Sequence, residues 1–340
     1  MNRIRYQVLR ALFQDEISVY QLIDQQDASL VELVNLLDEL EQEGLIYLQK
    51  GRTGLTRKGM DLCREKGLTG TLELSCSTCQ GTGLELPSYF QNILERFRGI
   101  IAQRPEADKA YDQGFMDPAG VVRRLAFTYA RGDLYGRMFV VGDDDFFSIA
   151  AALTGMPEMV LAVDVDQRVV ELINRIAQEY SLNLEAQMFD VQEELPRDLQ
   201  KSFDMFLTDP VETLPGLELF LSRGVMALKG AGSTGYFGLT TLEASRKKWF
   251  RIQSMLQDMG FVATDILRKF NVYPEEEKNF FNFQDSFPLV QRFGTRIDYN
   301  WYKSSFYRTE AVQDPSPLIT GPRQLDTQVY KDEESLATPF

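Results

Sequence analysis

Met138-Phe139-Val140-Val141-Gly142-Asp143-Asp144-Asp145-Phe146-Phe147 decides how this chain is read. A short apolar run ends in glycine and three consecutive carboxylates. Bounded in this way, the run predicts a buried strand. In a nucleotide-binding α/β domain the ligand sits at the carboxyl end of the first strand. That loop is usually glycine-rich, so that backbone N–H groups can approach an anion. Here it is acidic. Three adjacent like charges repel one another, and a structural turn does not need them. They point to a cationic ligand with more than one positive charge.

Working outward, strand and helix alternate. Residues 137–141 predict a strand and 146–154 a helix. Residues 159–163 predict a strand ending at Asp164, and Gln167–Tyr180 an amphipathic helix. Leu184–Phe189 leads to Asp190, and Phe203–Thr208 to Asp209-Pro210. Helices over 215–228 and 244–259 flank a strand over 232–239. Two long β-type runs, 261–273 and 301–310, predict an antiparallel pair at one edge. This is βαβ repetition with a parallel sheet. Acids recur at four successive strand ends: Asp143–Asp145, Asp164 with Asp166, Asp190, and Asp209. Such ends converge on one crevice.

There is no Gly-x-Gly-x-x-Gly and no Gly-x-x-x-x-Gly-Lys-Ser/Thr, so a nucleoside without phosphates fits better than a dinucleotide or triphosphate. An acid within Val163-Asp164-Val165-Asp166 is placed for ribose hydroxyls. Asp190 is placed for an adenine amino group, and Asp209 faces the middle of the crevice. Gly142, Asp143 and Gln113 complete the expected nucleoside-side set. Glu212, Tyr236 and Phe237 are the expected walls on the other side, with core packing the alternative for the two aromatics.

The 340 residues are 44% hydrophobic and 25% charged, ordinary for a soluble globular protein of two domains. No apolar stretch approaches the ~20 residues that span a bilayer, and the N-terminus lacks the apolar core of a signal peptide. The expectation is a cytoplasmic protein. A formal charge of −14 disfavours nucleic acid and favours cationic ligands or plain solubility. The chain has no histidine, so proton transfer falls to Asp, Glu, Tyr, Lys or Cys. Cys76-Ser77-Thr78-Cys79-Gln80-Gly81-Thr82-Gly83 has the spacing of a zinc knuckle, but supplies half of a four-ligand site. Cys63, a carboxylate or a second subunit would have to complete it. An inert turn, a structural bridge and a redox pair are the other readings.

Residues 1–75 predict a small unit. Helical periodicity runs through Ile4, Val8, Leu9 and Leu12. A second helix follows Ser18, and a third starts at Ser29 with a stripe of Leu30, Leu33, Val34, Leu37 and Leu40. Leu45–Leu48 pairs with Leu55-Thr56 across a turn. Three helices and a two-stranded wing resemble a winged-helix domain. The third helix would enter the DNA major groove, but residues 29–43 hold five acids and no Lys or Arg. Dimerisation, or packing on the catalytic domain, is expected instead.

Residues 76–117 read as knuckle, linker and helix, with Asp117 capping a helix over Pro118–Arg131. Residues 118–310 read as the catalytic domain, and 311–340 as an extended tail that ligand would order. Between Tyr273 and Trp301, Glu275, Glu276, Glu277 and Asp285 interleave with Phe280, Phe281, Phe283, Phe287 and Tyr299. Acids among aromatics suit a polyamine, whose ammonium groups take carboxylates or π-faces. A surface loop over a small apolar cluster is the alternative.

The strand order and acidic positions are similar to the class I methyltransferase (Rossmann-like) α/β fold. Gly142-Asp143-Asp144-Asp145, Asp209-Pro210-Val211-Glu212-Thr213 and the N-terminal winged helix together closely resemble the branched-chain polyamine synthases of thermophiles. The resemblance spans nearly the whole chain and implies an aminopropyltransferase. Its donor would be decarboxylated S-adenosylmethionine, a co-substrate rather than a tightly bound cofactor. Its acceptor would be spermidine, alkylated at the internal amine, and a homodimer is expected. Asp145 is the expected base, with Asp144 next and Asp209 as partner. Asp145, Asp209 and Glu212 would also hold the acceptor. A methyltransferase and a ligand-sensing winged-helix regulator are the alternatives. The acidic first loop opposes the former, since it would repel the carboxylate of intact S-adenosylmethionine. The acidic third helix opposes the latter.

Overall fold

The computed structural model describes residues 3–72, 76–79, 81–276, 279–324 and 329–338. The N-terminal unit runs α1 (Arg3–Ala11), β1 (Ile17–Ser18), α2 (Val19–Asp24), α3 (Leu30–Gln42), β2 (Ile46–Gln49), β3 (Arg52–Leu55) and α4 (Arg57–Glu65). The helix starts expected at Ser18 and Ser29 are observed, and both serines cap through reciprocal boxes with Gln21 and Glu32. β1 pairs with β3, so the expected hairpin is a three-stranded sheet in the order β1-β3-β2. Two residues are too few to show an alternating pattern, and β1 is therefore invisible to periodicity.

α5 (Ser88–Ile101) and α6 (Pro118–Ala130) lead into the main sheet. Asp117 caps α6 by accepting from the Ala119 N–H, and Pro118 takes the first helical position. Then come β4 (Arg137–Val141), α7 (Phe147–Ala152), β5 (Met159–Asp164), α8 (Gln167–Glu179) and β6 (Leu184–Met188). β7 (Met205–Thr208), α9 (Leu214–Ala227), β8 (Thr234–Thr240), α10 (Arg246–Asp258) and β9 (Phe261–Val272) follow. α11 (Pro288–Phe293) and β10 (Lys303–Ala311) close the chain's regular structure.

The seven strands lie in the order β6-β5-β4-β7-β8-β10-β9. The first five pair in parallel, with Val140 opposite Ala162 on one side and Leu207 on the other. β10 is antiparallel to both β8 and β9. The expected methyltransferase-like sheet and its antiparallel edge are both present. The chain winds outward from β4 through β5 and β6, then returns to β4's other side with β7. A crevice opens where the direction of winding reverses, at the carboxyl ends of β4 and β7.

Strand alternation feeds two cores. Met138 and Val140 pack with Val121, Leu125, Ile149 and Ile173 from α6, α7 and α8. Phe139 and Val141 pack with Leu217, Leu221, Ile252 and Leu256 from α9 and α10. Both faces of β4 are thus buried, which is why its sequence is continuously apolar.

The N-terminal unit docks on the antiparallel edge through acids at the end of α2. Asp24 accepts from Lys303 Nζ at 2.6 Å and Tyr299 Oη at 3.0 Å, with Lys269 Nζ at 3.3 Å. Asp27 accepts from Gln7 at 3.1 Å, Arg268 at 2.9 Å and Arg3 at 2.6 Å, and these partners hold its carboxyl well below the usual range against the cost of burial. The Leu30 N–H donates to the Leu242 carbonyl at 2.7 Å. Asp24→Ala is expected to cost about 2 kcal/mol, the scale of hydrogen bonds to charged groups. Urea unfolding of the full chain reads this directly. An unchanged midpoint and slope would show that the docking rests on apolar packing alone.

Candidate active site

A cavity of about 300 Å³ fills the crevice, at the lower end of the range for small-ligand clefts. Seven carboxylates line it and, among the described lining residues, no Lys or Arg does. It has two halves. Val163 and Asp164 at the end of β5, Val165 just after it, Phe189 and Asp190 after β6, and Phe220 of α9 form a mostly apolar half. Asp112, Asp144, Asp209, Glu212 and Glu243, with Tyr273 and Tyr302, form an acidic half.

The loop after β4 sends its three carboxylates in three directions. Gly142 takes φ 71° and Phe146 φ 57°, left-handed values that wrap the chain tightly at both ends of the triplet. Asp143 is buried and turns back to accept from the Ser148 N–H of α7 at 3.3 Å. Asp144 faces the cavity and accepts from the Gly114 N–H at 3.3 Å. Asp145 lies behind it, off the cavity wall, accepting from the Met116 N–H at 2.6 Å. Asp144, not Asp145, is therefore the member of the triplet on the wall.

Asp209 is clamped. Both its oxygens accept from the guanidinium of Arg124 in α6, Oδ1 from Nη2 at 2.9 Å. Arg124 is fully buried, donates from Nε to Asn271 Oδ1 at 2.9 Å, and lies 4.8 Å from the centre of the Phe306 ring. Gly238 of β8 lies directly against the pair. A Cβ there would sit 2.0 Å from Asp209 Oδ1, so only glycine admits this arrangement.

The other acids lack such a partner. Burial pushes Asp144 well above the usual carboxylate range, helped by Asp145, Asp164 and Asp209. Burial also raises Asp145 to about 7, and Asp209 adds to it while Arg124 and Arg104 oppose. Glu212 is raised to about 8 by burial, and its Oε2 is buried with no hydrogen-bond partner. Its Oε1 accepts from the Thr240 N–H at 2.8 Å. Burial raises Glu243 to about 7 and Asp112 to about 8. Glu243 accepts from the Ala337 N–H at 2.5 Å and Thr338 Oγ1 at 3.3 Å.

That last contact brings in the C-terminal segment. Val329, Tyr330, Ser335, Ala337 and Thr338 form one wall of the cavity. Lys248 Nζ ties the segment down through Asp332 at 2.8 Å, and Glu334 accepts from the Ser245 N–H at 2.6 Å. Arg223 donates to the carbonyls of Ile319 at 3.2 Å and Gly321 at 2.8 Å. The described tail is thus docked on the protein by specific polar contacts. Pro339 lies outside the described residues.

Of the expected residues, Gly142, Asp144, Asp164, Asp190, Asp209, Glu212 and Gln113 meet at the cavity. Asp164 accepts from the Asp143 and Asp166 N–H groups at 2.9 and 2.8 Å, and Asp190 from the Gln192 N–H at 2.9 Å. Asp166 is off the wall: it caps α8, pairs with Arg168 at 2.6 Å and accepts from Gln113 at 2.9 Å. Tyr236 and Phe237 are core residues. The Tyr236 hydroxyl donates to Asp133, and Phe237 stacks on Tyr307 with ring centres 4.7 Å apart. A strand buried on both faces has no side left to turn toward a ligand. Phe281 and Phe287 are likewise buried in the core, Phe283 packs against it, and Tyr299 bonds Asp24. Asp285 pairs with Arg296 at the surface. From that segment the wall receives Tyr273; Glu277 and the Phe280 side chain lie outside the described residues. Asp112, Glu243 and Arg124 were missed. Asp112 and Glu243 end no strand, and Arg124 hides in an apolar helix where only its charge on the buried face could have signalled it.

A family model for the "branched-chain polyamine synthase A C-terminal domain" matches residues 92–337. The chain is 35% identical over 327 residues to the N(4)-bis(aminopropyl)spermidine synthase of Thermococcus kodakarensis, covering 94% of this chain and 91% of that one. It is 38% identical over 284 residues to the protein of the same name from Thermus thermophilus, covering 83% and 79%. Among solved structures, the branched-chain polyamine synthase of Thermus thermophilus, in complex with N4-aminopropylspermidine and 5'-methylthioadenosine, superposes with TM-score 0.86 at 31% identity, covering 98% of this chain and 93% of that one.

The clamp on Asp209 makes a stability prediction. Asp209→Asn leaves a buried guanidinium without its counter-charge, and about 3–5 kcal/mol is expected to be lost. Gly238→Ala forces the pair aside and is expected to cost about 1–3 kcal/mol. Denaturant unfolding should order the two in that way. Parental stability in Asp209→Asn would mean that Arg124 needs no partner.

Proposed function

The chain belongs to the branched-chain polyamine synthase family, and we infer that it is an aminopropyltransferase. It moves aminopropyl groups from decarboxylated S-adenosylmethionine to the internal secondary amine of spermidine. The products are N4-aminopropylspermidine, N4-bis(aminopropyl)spermidine and methylthioadenosine. One observation carries this reading beyond the family likeness: the crevice joins an apolar half to an acidic half with no basic side chain on its described wall.

The loop after β4 supports the choice of donor. In a glycine-rich version, the helix start behind it offers N–H groups to an anion. Here the carboxylate of Asp143 already occupies the α7 start. A donor that has lost its carboxylate needs no such site, and its remaining ammonium is attracted by Asp144. Intact S-adenosylmethionine would bring its carboxylate against that acid, which counts against methyl transfer.

The adenosine is assigned to Val165, Phe189 and Phe220, with Asp164 at the ribose hydroxyls and Asp190 at the base. Gln113 steadies this end. Spermidine is assigned to the acidic half, with Asp209 and Glu212 beside Asp144, and Glu243 and Asp112 added to the set. Displacement is direct. The amine nitrogen attacks the propyl carbon next to the sulfonium, a C–N bond forms, the C–S bond breaks, and its electron pair leaves with sulfur as the neutral thioether. The attacking amine must first lose its proton, because an ammonium has no lone pair. Asp144 accepts it and holds the nitrogen in line. Asp145 acts from behind, keeping Asp144 electrostatically uncomfortable and so more basic. Tyr273 and Tyr302 wall the reaction from water.

Mass spectrometry of products from decarboxylated donor and spermidine is the deciding assay. Branched products are expected, and linear spermine as the sole product would overturn the acceptor assignment. Asp144→Asn is expected to lower kcat by about 10²–10⁴, the scale of general-base catalysis, and Asp145→Asn by less. The reverse order would restore Asp145 as the base. The pH dependence has a definite sign. Glu212 and Glu243 have raised values, so the free protein gains stability below the ordinary carboxylate range and loses it as pH rises through about 7 to 8. Spermidine binds the ionised forms, so its thermal stabilisation should be larger at pH 8 than at pH 6, and Glu212→Gln should flatten that difference. Equal shifts at both pH values would contradict the assignment of Glu212.

A further inference from the structure

A strip of three consecutive residues stands behind the acids after β4. The Gly114 N–H donates to Asp144 at 3.3 Å and the Met116 N–H to Asp145 at 2.6 Å. Between them, the Phe115 N–H goes to neither acid. It donates to Asn279 Oδ1 at 2.7 Å, and Asn279 Nδ2 donates back to the Phe115 carbonyl at 2.7 Å. One side-chain amide thus takes both backbone polar groups of one residue, as the facing residue of a neighbouring strand would. Nδ2 also donates to the Pro274 carbonyl at 3.0 Å.

Asn279 is fully buried, and Phe115 and Met116 nearly so. Its three bonds fix which end of the amide is oxygen and which is nitrogen. The strip has its own anchor on either side. Gln113 donates to Asp166 at 2.9 Å, and the Asp117 N–H donates to the Val272 carbonyl at 2.9 Å. Asn279 holds the middle, where the two N–H groups leave for the acids. An N–H donated to a carboxylate favours its ionised form, and a short bond does so more than a long one. Asp145 receives the short bond and Asp144 the long one. The acid on the cavity wall is thereby left the better proton acceptor of the two.

We propose that Asn279 is a positioning residue for the transfer reaction. By locking Phe115 it sets how the Gly114 and Met116 N–H groups are divided between Asp144 and Asp145, and so keeps Asp144 the proton acceptor. Asn279 is not on the described cavity wall and acts through the strip alone. The inference rests on the reaction assigned above. Asp143, Asp164, Asp209, Tyr273, Arg124 and Arg104 also face the two acids, and replacing Asn279 leaves all six unchanged.

The test uses the full chain with decarboxylated donor and spermidine over a series of pH values. In Asn279→Ala, kcat should fall about 10–100-fold, with KM for the donor within about twofold of the parent because Gln113 keeps its own anchor. The acid limb of the kcat profile should move up by about 0.5–1 pH unit, since acids that lose N–H donors hold their protons more tightly. Asp24→Ala, which loosens the N-terminal unit away from the site, controls for lost stability, and its limb should stay parental. Asn279→Asp is the same size and serves if alanine does not fold. Protonated, it can still donate to the Phe115 carbonyl; ionised, it cannot. Its activity relative to the parent should therefore fall as pH rises. Parental kcat and acid limb in Asn279→Ala, an equal shift in Asp24→Ala, or a pH-independent ratio for Asn279→Asp would each overturn this inference alone. A parent that makes no branched product would overturn the reaction and the inference together.

Discussion

Buried negative charge without matching positive charge is the constraint on which the rest of this structure turns. Seven carboxylates face one cavity of about 300 Å³, and the guanidinium that neutralises one of them, Arg124, is spent on Asp209. A buried carboxylate without a partner keeps its proton or waits for a cation. Asp112, Glu212 and Glu243 are pushed up to between about 7 and 8, and Asp144 well above the usual range. The site is therefore unsatisfied by design of its surroundings. A polyamine has the matching chemistry, since ammonium groups spaced along a methylene chain can meet several acids at once.

The doubly wound sheet explains how so many acids come together. Parallel strands all end at the same edge, so one acid after each of β4, β5, β6 and β7 is enough to surround a ligand. The same architecture normally favours anions, because helix N-termini point at that edge. This chain cancels the preference at α7, where Asp143 caps the helix from inside the loop. Arg124 does a second job. It fixes Asp209 bidentately in the centre of the crevice, and Gly238 gives the pair the room it needs.

How much of this was legible in the sequence depended on whether local pattern and tertiary role coincided. Acids at strand ends were legible because a strand's apolar run marks its own end. The helix starts at Ser18, Ser29 and Asp117 were legible because a helix's first turn is marked within a few residues of itself. Asp145 against Asp144 was not, because the choice rests on the left-handed turns at Gly142 and Phe146, and a phenylalanine with positive φ has no sequence signature. Tyr236 and Phe237 looked like walls since they end a strand, yet β8 is buried on both faces. The aromatics of 280–287 looked like a cation box since acids sit among them, but α11 turns Phe287 into the core and leaves Asp285 outside. Glu243 was invisible: it ends no strand, and its partners at Ala337 and Thr338 are some ninety residues away.

Glu243 also explains why the acidic third helix belongs in this protein. The Leu30 N–H at the start of α3 donates to the carbonyl of Leu242, the residue before Glu243. Arg246, three residues beyond, donates to the Asp27 carbonyl at 3.1 Å. From the other side, Ser245 and Lys248 hold the C-terminal segment through Glu334 and Asp332. The loop carrying Glu243 is thus gripped between the first and last parts of the chain. A carboxylate that repels its neighbours would otherwise relax into solvent, and its loop would follow. Holding it in place takes rigid contacts on both sides, and those contacts come from segments that have no chemistry of their own. A helix rich in acid is unsuited to phosphate, but it costs nothing as a buttress, because the groups α3 contributes here are a backbone N–H and an apolar stripe.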